Sequence, residues 1–250
     1  IVWEDKQANQ RRIQALLESQ PPEAGALVVL PEMFATGFSM KVPRVAEGQD
    51  KPTETFMARL ARAHKVYIQG RVVNRGPDGR GLNQSLTFGP DGGEVARYNK
   101  IHPFSFAKED RYYAGGETPL LIEIGAIRVA PLICYDLRFP EIFRHGVRRG
   151  AQCYTVIANW PRARQRHWVT LLQARAIENQ AWVVGVNRAG SDPWLEYAGH
   201  SLIVDPQGEI VADAGEKEGV ITARLDPAAL ADYRAKFPAL NDIRGRFLGE

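Results

Sequence analysis

Apolar residues recur at helical spacing in residues 6–20, where Ile13, Leu16 and Leu17 fall on one face, and again in residues 53–65, with Phe56, Met57 and Leu60. Both segments are expected to be amphipathic helices, the second with Thr53 as its N-cap. Residues 26–30 form a short apolar run halted by Pro31, which predicts a buried strand feeding a loop; residues 66–73 predict another strand. Residues 82–88 and 94–98 flank Gly89-Pro90-Asp91-Gly92-Gly93, and residues 120–124 and 127–133 flank Gly125-Ala126, so two hairpins are expected. Further along, residues 140–149 predict a helix with Pro140 near its first turn, 154–158 a strand, 166–180 a helix and 181–186 a strand. Residues 201–204 and 209–212 should pair across Asp205-Pro206-Gln207-Gly208. Residues 220–225 read as the last strand, and 228–236 as a final helix stopped near Pro238. Helices alternate with strands and hairpins are inserted among them, which makes the chain α/β with mixed sheets. Two sheets stacked face to face with helices outside would use all these elements; so would one large mixed sheet.

The chain has 250 residues and an ordinary globular composition, 44% hydrophobic and 24% charged, so one domain over residues 1–250 is expected. The net charge is +3 and the densest basic run, Arg162 to Arg166, is short, which argues against nucleic-acid binding. No apolar stretch approaches the length of a membrane span, and no secretory leader is visible. Two cysteines, Cys134 and Cys153, make no disulfide framework and point to a reducing cytoplasm, with Cys153 read as core. The histidines His64, His102, His145, His167 and His200 lack ligand spacing, and no glycine-rich phosphate loop follows a strand, so neither metal nor cofactor is expected. Asn83-Gln84-Ser85 matches a glycosylation sequon, which carries no meaning in a cytoplasmic protein.

Three apolar strands end on a reactive side chain. Val28-Val29-Leu30-Pro31 delivers Glu32, residues 94–99 deliver Lys100, and Ala130-Pro131-Leu132-Ile133 delivers Cys134. Sites collect at strand ends in α/β sheets, and a carboxylate, an ammonium and a thiol together would form a nucleophilic site. Only a thiolate attacks; a carboxylate can take the thiol proton, and an ammonium favours the thiolate and can hold an oxyanion. Cys134 is expected at an elbow leading into a helix, with the Tyr135 N–H pointing at the reacting carbonyl. Taken singly, each residue has a plainer reading: a core cysteine, a solvated lysine, a glutamate capping a turn.

Leu30-Pro31-Glu32, Asn99-Lys100-Ile101-His102 and Cys134-Tyr135-Asp136-Leu137-Arg138-Phe139-Pro140 resemble the Glu, Lys and Cys motifs of the nitrilase superfamily, in the family's order. Residues 171–180 and 199–206 resemble the family's later segments, so the likeness covers almost the whole chain. The resemblance implies a four-layer α-β-β-α sandwich of two stacked mixed sheets and a homodimer. It also implies Glu32 as general base, Lys100 as oxyanion stabiliser and Cys134 as nucleophile. A second family glutamate matches Glu109; Glu117 competes, but Gly115-Gly116-Glu117 matches the turn that follows that glutamate. Family members begin with a strand that should already have ended by Ile1-Val2-Trp3, so about ten further residues are expected ahead of it.

Residues 32–40, Ala158-Asn159-Trp160-Pro161 and residues 233–238 resemble the bacterial omega-amidase branch, whose substrates are small amides bearing a 2-oxo acid. The expected partner is therefore a small-molecule amide. Its carboxylate needs a cationic pocket, for which Arg111 and Arg138 are candidates, with Phe34 and Trp160 as walls. The preferred reading of Arg138 is nonetheless a structural ion pair beneath the elbow. Rival expectations are a deaminated-glutathione amidase, a carbamoylase or a true nitrilase; a Cys–His hydrolase using His102 or His167; and an inactive binding protein on the same fold.

Overall fold

The structure, a computed structural model, describes residues 1–247. Helix α1 (Lys6–Ser19) starts after Asp5, whose carboxylate accepts the Ala8 N–H at 2.9 Å and satisfies one orphan donor of the first turn. Strand β1 (Leu27–Val29) and a single turn α2 (Val42–Val45) lead to α3 (Pro52–His64). Thr53 does not cap α3. Pro52 opens the helix, where its missing N–H costs nothing, and Thr53 donates its N–H and hydroxyl to Glu47 at 2.8 and 2.7 Å.

Three long antiparallel strands follow: β2 (Tyr67–Arg75), β3 (Gly81–Phe88) and β4 (Glu94–Asn99). With β1 parallel to β2 and the short β5 (Tyr113–Ala114), which follows the turn α4 (Glu109–Tyr112) and lies beside β3, they form a five-stranded sheet. The second sheet has six strands. The hairpin β6 (Ile122–Ile124) and β7 (Ile127–Ile133) leads to α5 (Pro140–Arg148), β8 (Cys153–Ala158), α6 (Gln165–Asn179) and β9 (Trp182–Asn187). A small hairpin, β10 (Ala189–Ser191) and β11 (Glu196–Ala198), precedes β12 (Leu202–Val204) and β13 (Ile210–Asp213), and α7 (Pro227–Lys236) follows. Strands β7, β8 and β9 are parallel, and the outer pairings antiparallel. Both sheets are therefore mixed.

One expected strand is missing. Residues 220–225 carry strand composition but pair with no strand among the described residues; Leu225 packs beside Leu27 and Tyr67 at a cluster where the two sheets meet. Composition supplies side chains that suit a sheet, but a strand also needs a neighbour to accept its backbone hydrogen bonds.

Alternation along the strands builds four layers. Ile68, Val72, Leu86 and Phe88 face Leu17 of α1 and Phe56, Met57, Leu60 and Ala61 of α3. Leu132, Tyr154, Val156 and Val183 face Phe143 of α5 and Trp168, Leu172 and Ala176 of α6. Each such fully buried side chain contributes about 1.5–3 kcal/mol. Gly185 lets α6 lie directly on β9, because a Cβ there would strike Leu172 and Trp168. The inner face of β2 and β3 is polar and buried: Gln69, Arg71, Asn83, Ser85 and Thr87. This layering is the α-β-β-α sandwich expected from the resemblance. No helix of the described residues is long and apolar enough to cross a membrane.

Candidate active site

Proline and β-sheet geometry bring three chain ends together. Pro31 stops the extension of β1 and turns Glu32 inward; Lys100 is the first residue beyond β4; Cys134 is the first beyond β7. Glu32 and Glu109 have no exposed surface and Lys100 has 1%. The Lys100 ammonium donates to Glu109 Oε2 at 2.8 Å and to Glu32 Oε1 at 3.2 Å. Glu109 Oε2 also accepts the Phe104 N–H at 2.6 Å. Glu117, the competing glutamate, is exposed.

Asn83 ties the two carboxylates together. Its Nδ2 donates to Glu32 Oε1 at 2.9 Å and Glu109 Oε1 at 2.7 Å, while its Oδ1 accepts from Arg71 Nε at 2.7 Å. The residue matching a sequon is thus 1% exposed and committed to the site. On the opposite side, the Asn159 N–H donates to Glu32 Oε2 at 3.0 Å and its amide donates to the Glu32 carbonyl at 2.5 Å. Neither Asn83 nor Asn159 stood out as a functional residue in the sequence, because buried asparagines have no periodic signature.

Cys134 has φ +46°, in the left-handed region, which costs a non-glycine residue about 1–2 kcal/mol and marks a sharp elbow. The elbow does not run straight into a helix as expected. A 3-10 turn (Cys134–Arg138) intervenes, Phe139 is extended, and only then does α5 begin. The reason is Pro140, which disfavours helical backbone at the residue before it. Asp136 fixes the turn. Its Oδ2 accepts the Ile133 N–H at 3.0 Å and the Tyr98 hydroxyl at 2.8 Å, and its Oδ1 accepts the His102 N–H at 3.0 Å. The cysteine elbow and the β4 end that carries Lys100 are therefore bolted to one buried carboxylate.

The electrostatics set a definite resting state. Burial would protonate Glu32, but Lys100, Arg71 and the hydrogen bonds from Asn83 and Asn159 outweigh it and hold the carboxyl below its usual range. Burial would likewise deprotonate Lys100, yet Glu109 and Glu32 hold it as an ammonium, well above the usual lysine range. Burial and the Glu32 charge push the Cys134 thiol well up, against Lys100. These directions favour the thiol form of Cys134 beside an ionised carboxylate and an ammonium. Cys153, fully buried in apolar surroundings, is pushed up to about 12 by burial.

Neither His102 nor His167 is hydrogen-bonded to Cys134 among the described residues. His102 Nδ1 lies 2.8 Å from Asp136 Oδ1 with its ring stacked on Phe139, and His167 Nδ1 lies 3.2 Å from Arg138. A Cys–His pair is not formed. No group of three His, Cys, Asp or Glu side chains among the described residues could hold a metal.

The four residues considered for the substrate pocket divide. Phe34 is not a wall of the site; it belongs to the core under α3, against Met57 and Gly70, because the turn after Pro31 points it outward from the inner face. Arg111 lies exposed on α4, and its side chain makes no hydrogen bond or ion pair among the described residues. Trp160 is buried, and Arg138 lies over its ring at 4.7 Å. The structural ion pair read for Arg138 is absent among the described residues. The residue beneath the turn is Arg175, which donates to the Leu137 carbonyl at 2.9 and 3.1 Å and pairs with Glu178. Arg138 instead contacts His167 Nδ1, and burial first and the Arg164 charge second lower its affinity for its proton.

The carbon-nitrogen hydrolase family model matches residues 1–235 of the chain. The chain belongs to that family. It is 41% identical to a Yersinia enterocolitica protein named omega-amidase YafV, over 97% of this chain and 93% of that one. It is 34% identical to the Bacillus subtilis 2-oxoglutaramate amidase, over 94% and 91% of the two chains. Among solved structures, a CN-hydrolase superfamily protein of Xanthomonas campestris with an arsenic adduct in its active site is 38% identical, with a TM-score of 0.90 over 97% of this chain and 93% of that one. In this carbon-nitrogen hydrolase, Glu32, Lys100 and Glu109 form one buried, hydrogen-bonded cluster, and the half-buried Cys134 lies within reach of their charges.

Proposed function

We propose that this hydrolase cleaves the terminal amide of 2-oxoglutaramate to 2-oxoglutarate and ammonia through a thioester on Cys134. As the sulfur attacks the amide carbon, Glu32 takes its proton, since the resting site pairs a thiol with a carboxylate. The Lys100 ammonium and the Tyr135 N–H hold the oxyanion. The tetrahedral adduct collapses, and the proton on Glu32 passes to the departing nitrogen, which leaves as ammonia. A water then gives its proton to Glu32 and attacks the thioester; collapse frees the product carboxyl and returns the proton to the sulfur. Glu109 positions Lys100 throughout.

One observation carries the choice of a 2-oxo acid. Arg138, over the Trp160 ring, has no carboxylate partner among the described residues and is disfavoured as a cation by the Arg164 charge. Arg164 itself lies over Phe104 and Phe106 at 5.6 and 5.9 Å. Two guanidiniums on aromatic faces, with one charge acting on the other, favour an anion between them. In this reading Arg138 and Arg164 take the substrate carboxylate, and Trp160 supports Arg138 from below.

The relatives named as omega-amidase and 2-oxoglutaramate amidase support the same substrate. The free thiols Cys134 and Cys153 fit a reducing cytoplasm. Exposed Ile177, Ile210, Val211 and Phe237 offer apolar surface for a homodimer, which light scattering of the purified protein tests. The deciding experiment is ammonia release from 2-oxoglutaramate by the wild type and by Cys134→Ala, beside a panel of deaminated glutathione, N-carbamoyl and nitrile substrates. Release by the wild type alone, with 2-oxoglutaramate preferred, supports the proposal. Release by the variant sinks the thiol mechanism, and preference for another substrate sinks the omega-amidase assignment.

A further inference from the structure

Two carboxylates, Glu32 and Glu109, are fully buried around one ammonium, Lys100. With Cys134 as a thiol, that trio alone would carry one net negative charge inside the protein. An uncompensated buried carboxylate is costly, and the usual outcome is that it takes up a proton. A protonated Glu32 could not accept the Cys134 proton. The missing positive charge is Arg71, on the inner face of β2, with 1% of its surface exposed.

Arg71 forms no ion pair among the described residues. Its Nε donates to Asn83 Oδ1 at 2.7 Å, and its guanidinium lies over the Tyr113 ring, 5.4 Å from the centroid. The connection to the carboxylates runs through Asn83, whose two amide hydrogens are divided between Glu32 and Glu109. A flipped Asn83 would set its carbonyl against two carboxylates and its amide against a guanidinium. Arg71 therefore fixes the orientation of the one amide that spaces the two carboxylates.

We propose that Arg71 is a positioning residue of this site, which by its charge and its hydrogen bond to Asn83 keeps Glu32 able to accept a proton and holds Glu32 and Glu109 in register around Lys100. The proposal rests on Glu32 acting as the base for Cys134. The charged and titratable groups facing Glu32 are Lys100 beyond β4, Glu109 on α4, Tyr113 on β5, Cys134 beyond β7, Tyr197 on β11 and Arg71 itself. Of these only Lys100 and Arg71 are cations, so loss of Arg71 leaves a single positive charge for two carboxylates.

The test is the pH dependence of Cys134 alkylation by iodoacetamide, followed by peptide mass, in the wild type, Arg71→Met, Arg71→Lys and Glu32→Gln. This readout needs no knowledge of the substrate. In Arg71→Met the acid limb should move up by about one pH unit or more, equivalent to roughly a tenfold slower reaction at a fixed pH on that limb. Arg71→Lys, which restores the charge but not the planar fork, should return the limb toward the wild-type position while amide turnover stays reduced. An acid limb in Arg71→Met that coincides with the wild type overturns the proposal. A wild-type limb that Glu32→Gln leaves unchanged overturns the base assignment, and the role of Arg71 falls with it. Should Arg71→Met not fold at neutral pH, adding Glu109→Gln restores the charge count and is expected to recover folding and the melting temperature. Failure of that double variant to recover either is evidence against charge balance and overturns the proposal.

Discussion

Glu109 Oε2 accepts a 2.8 Å hydrogen bond from Lys100 Nζ with both side chains withdrawn from water. This bond is shorter than the 3.2 Å approach of Lys100 to Glu32. Glu109 is thereby the principal partner of the ammonium, which leaves Glu32 free to receive a proton. Replacing Glu109 with Gln removes a charge from a buried pair, a change that costs about 3–5 kcal/mol. Glu109→Gln is expected to lower the melting temperature by several degrees and to reduce kcat by on the order of 10²-fold, because Lys100 is no longer held for the oxyanion. Calorimetry and steady-state ammonia release check both.

Asp136 should matter as much as residues that touch substrate. It accepts four hydrogen-bond contacts, from Ile133, Tyr98 and twice from His102, and an amide in its place would present a donor to one of them. Asp136→Asn is expected to shift the elbow and lower kcat by on the order of 10²-fold. Rapid alkylation of Cys134 should persist if only alignment is lost. A variant with full turnover would remove Asp136 as the anchor of the elbow.

The pH dependence of stability follows from two opposite shifts. Glu32 is held below the ordinary carboxylate value of about 4.3, so its contribution is present above that value and is lost as pH falls through the lower folded one. Lys100 is held above the ordinary lysine value of about 10.4, so its contribution is present below that value and is lost as pH rises through the folded one. Melting temperature should therefore be flat between about pH 5 and about pH 10 as far as these two groups determine it. Glu32→Gln should soften the acid falloff, and a falloff identical to the wild type would assign it to other carboxylates.

In the proposed function, Arg138 separates substrate recognition from chemistry. Arg138→Met keeps a long apolar stem over Trp160 but removes the charge. A hydrogen bond to a charged group contributes about 1.5–3 kcal/mol, so KM for 2-oxoglutaramate should rise by roughly 10- to 100-fold. Turnover of a neutral amide such as propionamide should change little. Equal losses on both amides would place Arg138 in the elbow rather than in the carboxylate site.

Glu32, Lys100 and Cys134 stand at strand ends that the sequence pattern and Pro31 locate, but position alone left each a plainer reading, and only the likeness of the flanking residues to the family's Glu, Lys and Cys motifs marked the three as a set. The helices α1 and α3 were legible because an amphipathic face is a local pattern. What pattern could not decide was everything that depends on which segments meet. Residues 220–225 have strand composition and pair with nothing among the described residues, because a strand is made by its neighbour. Phe34 follows Glu32 closely in the chain yet packs under α3, because the turn after Pro31 sends the two side chains to different layers. Arg71, Asn83, Asp136 and Asn159 are polar residues buried by strands and turns distant in sequence, and only the tertiary structure shows that their hydrogen bonds end on one site. Local sequence determines periodicity and breaks, which fix the elements and what stands at their ends. The protonation states of Glu32, Lys100 and Cys134 depend on burial and on charges delivered by several separate strands and turns, and those exist only once the two sheets have closed over them.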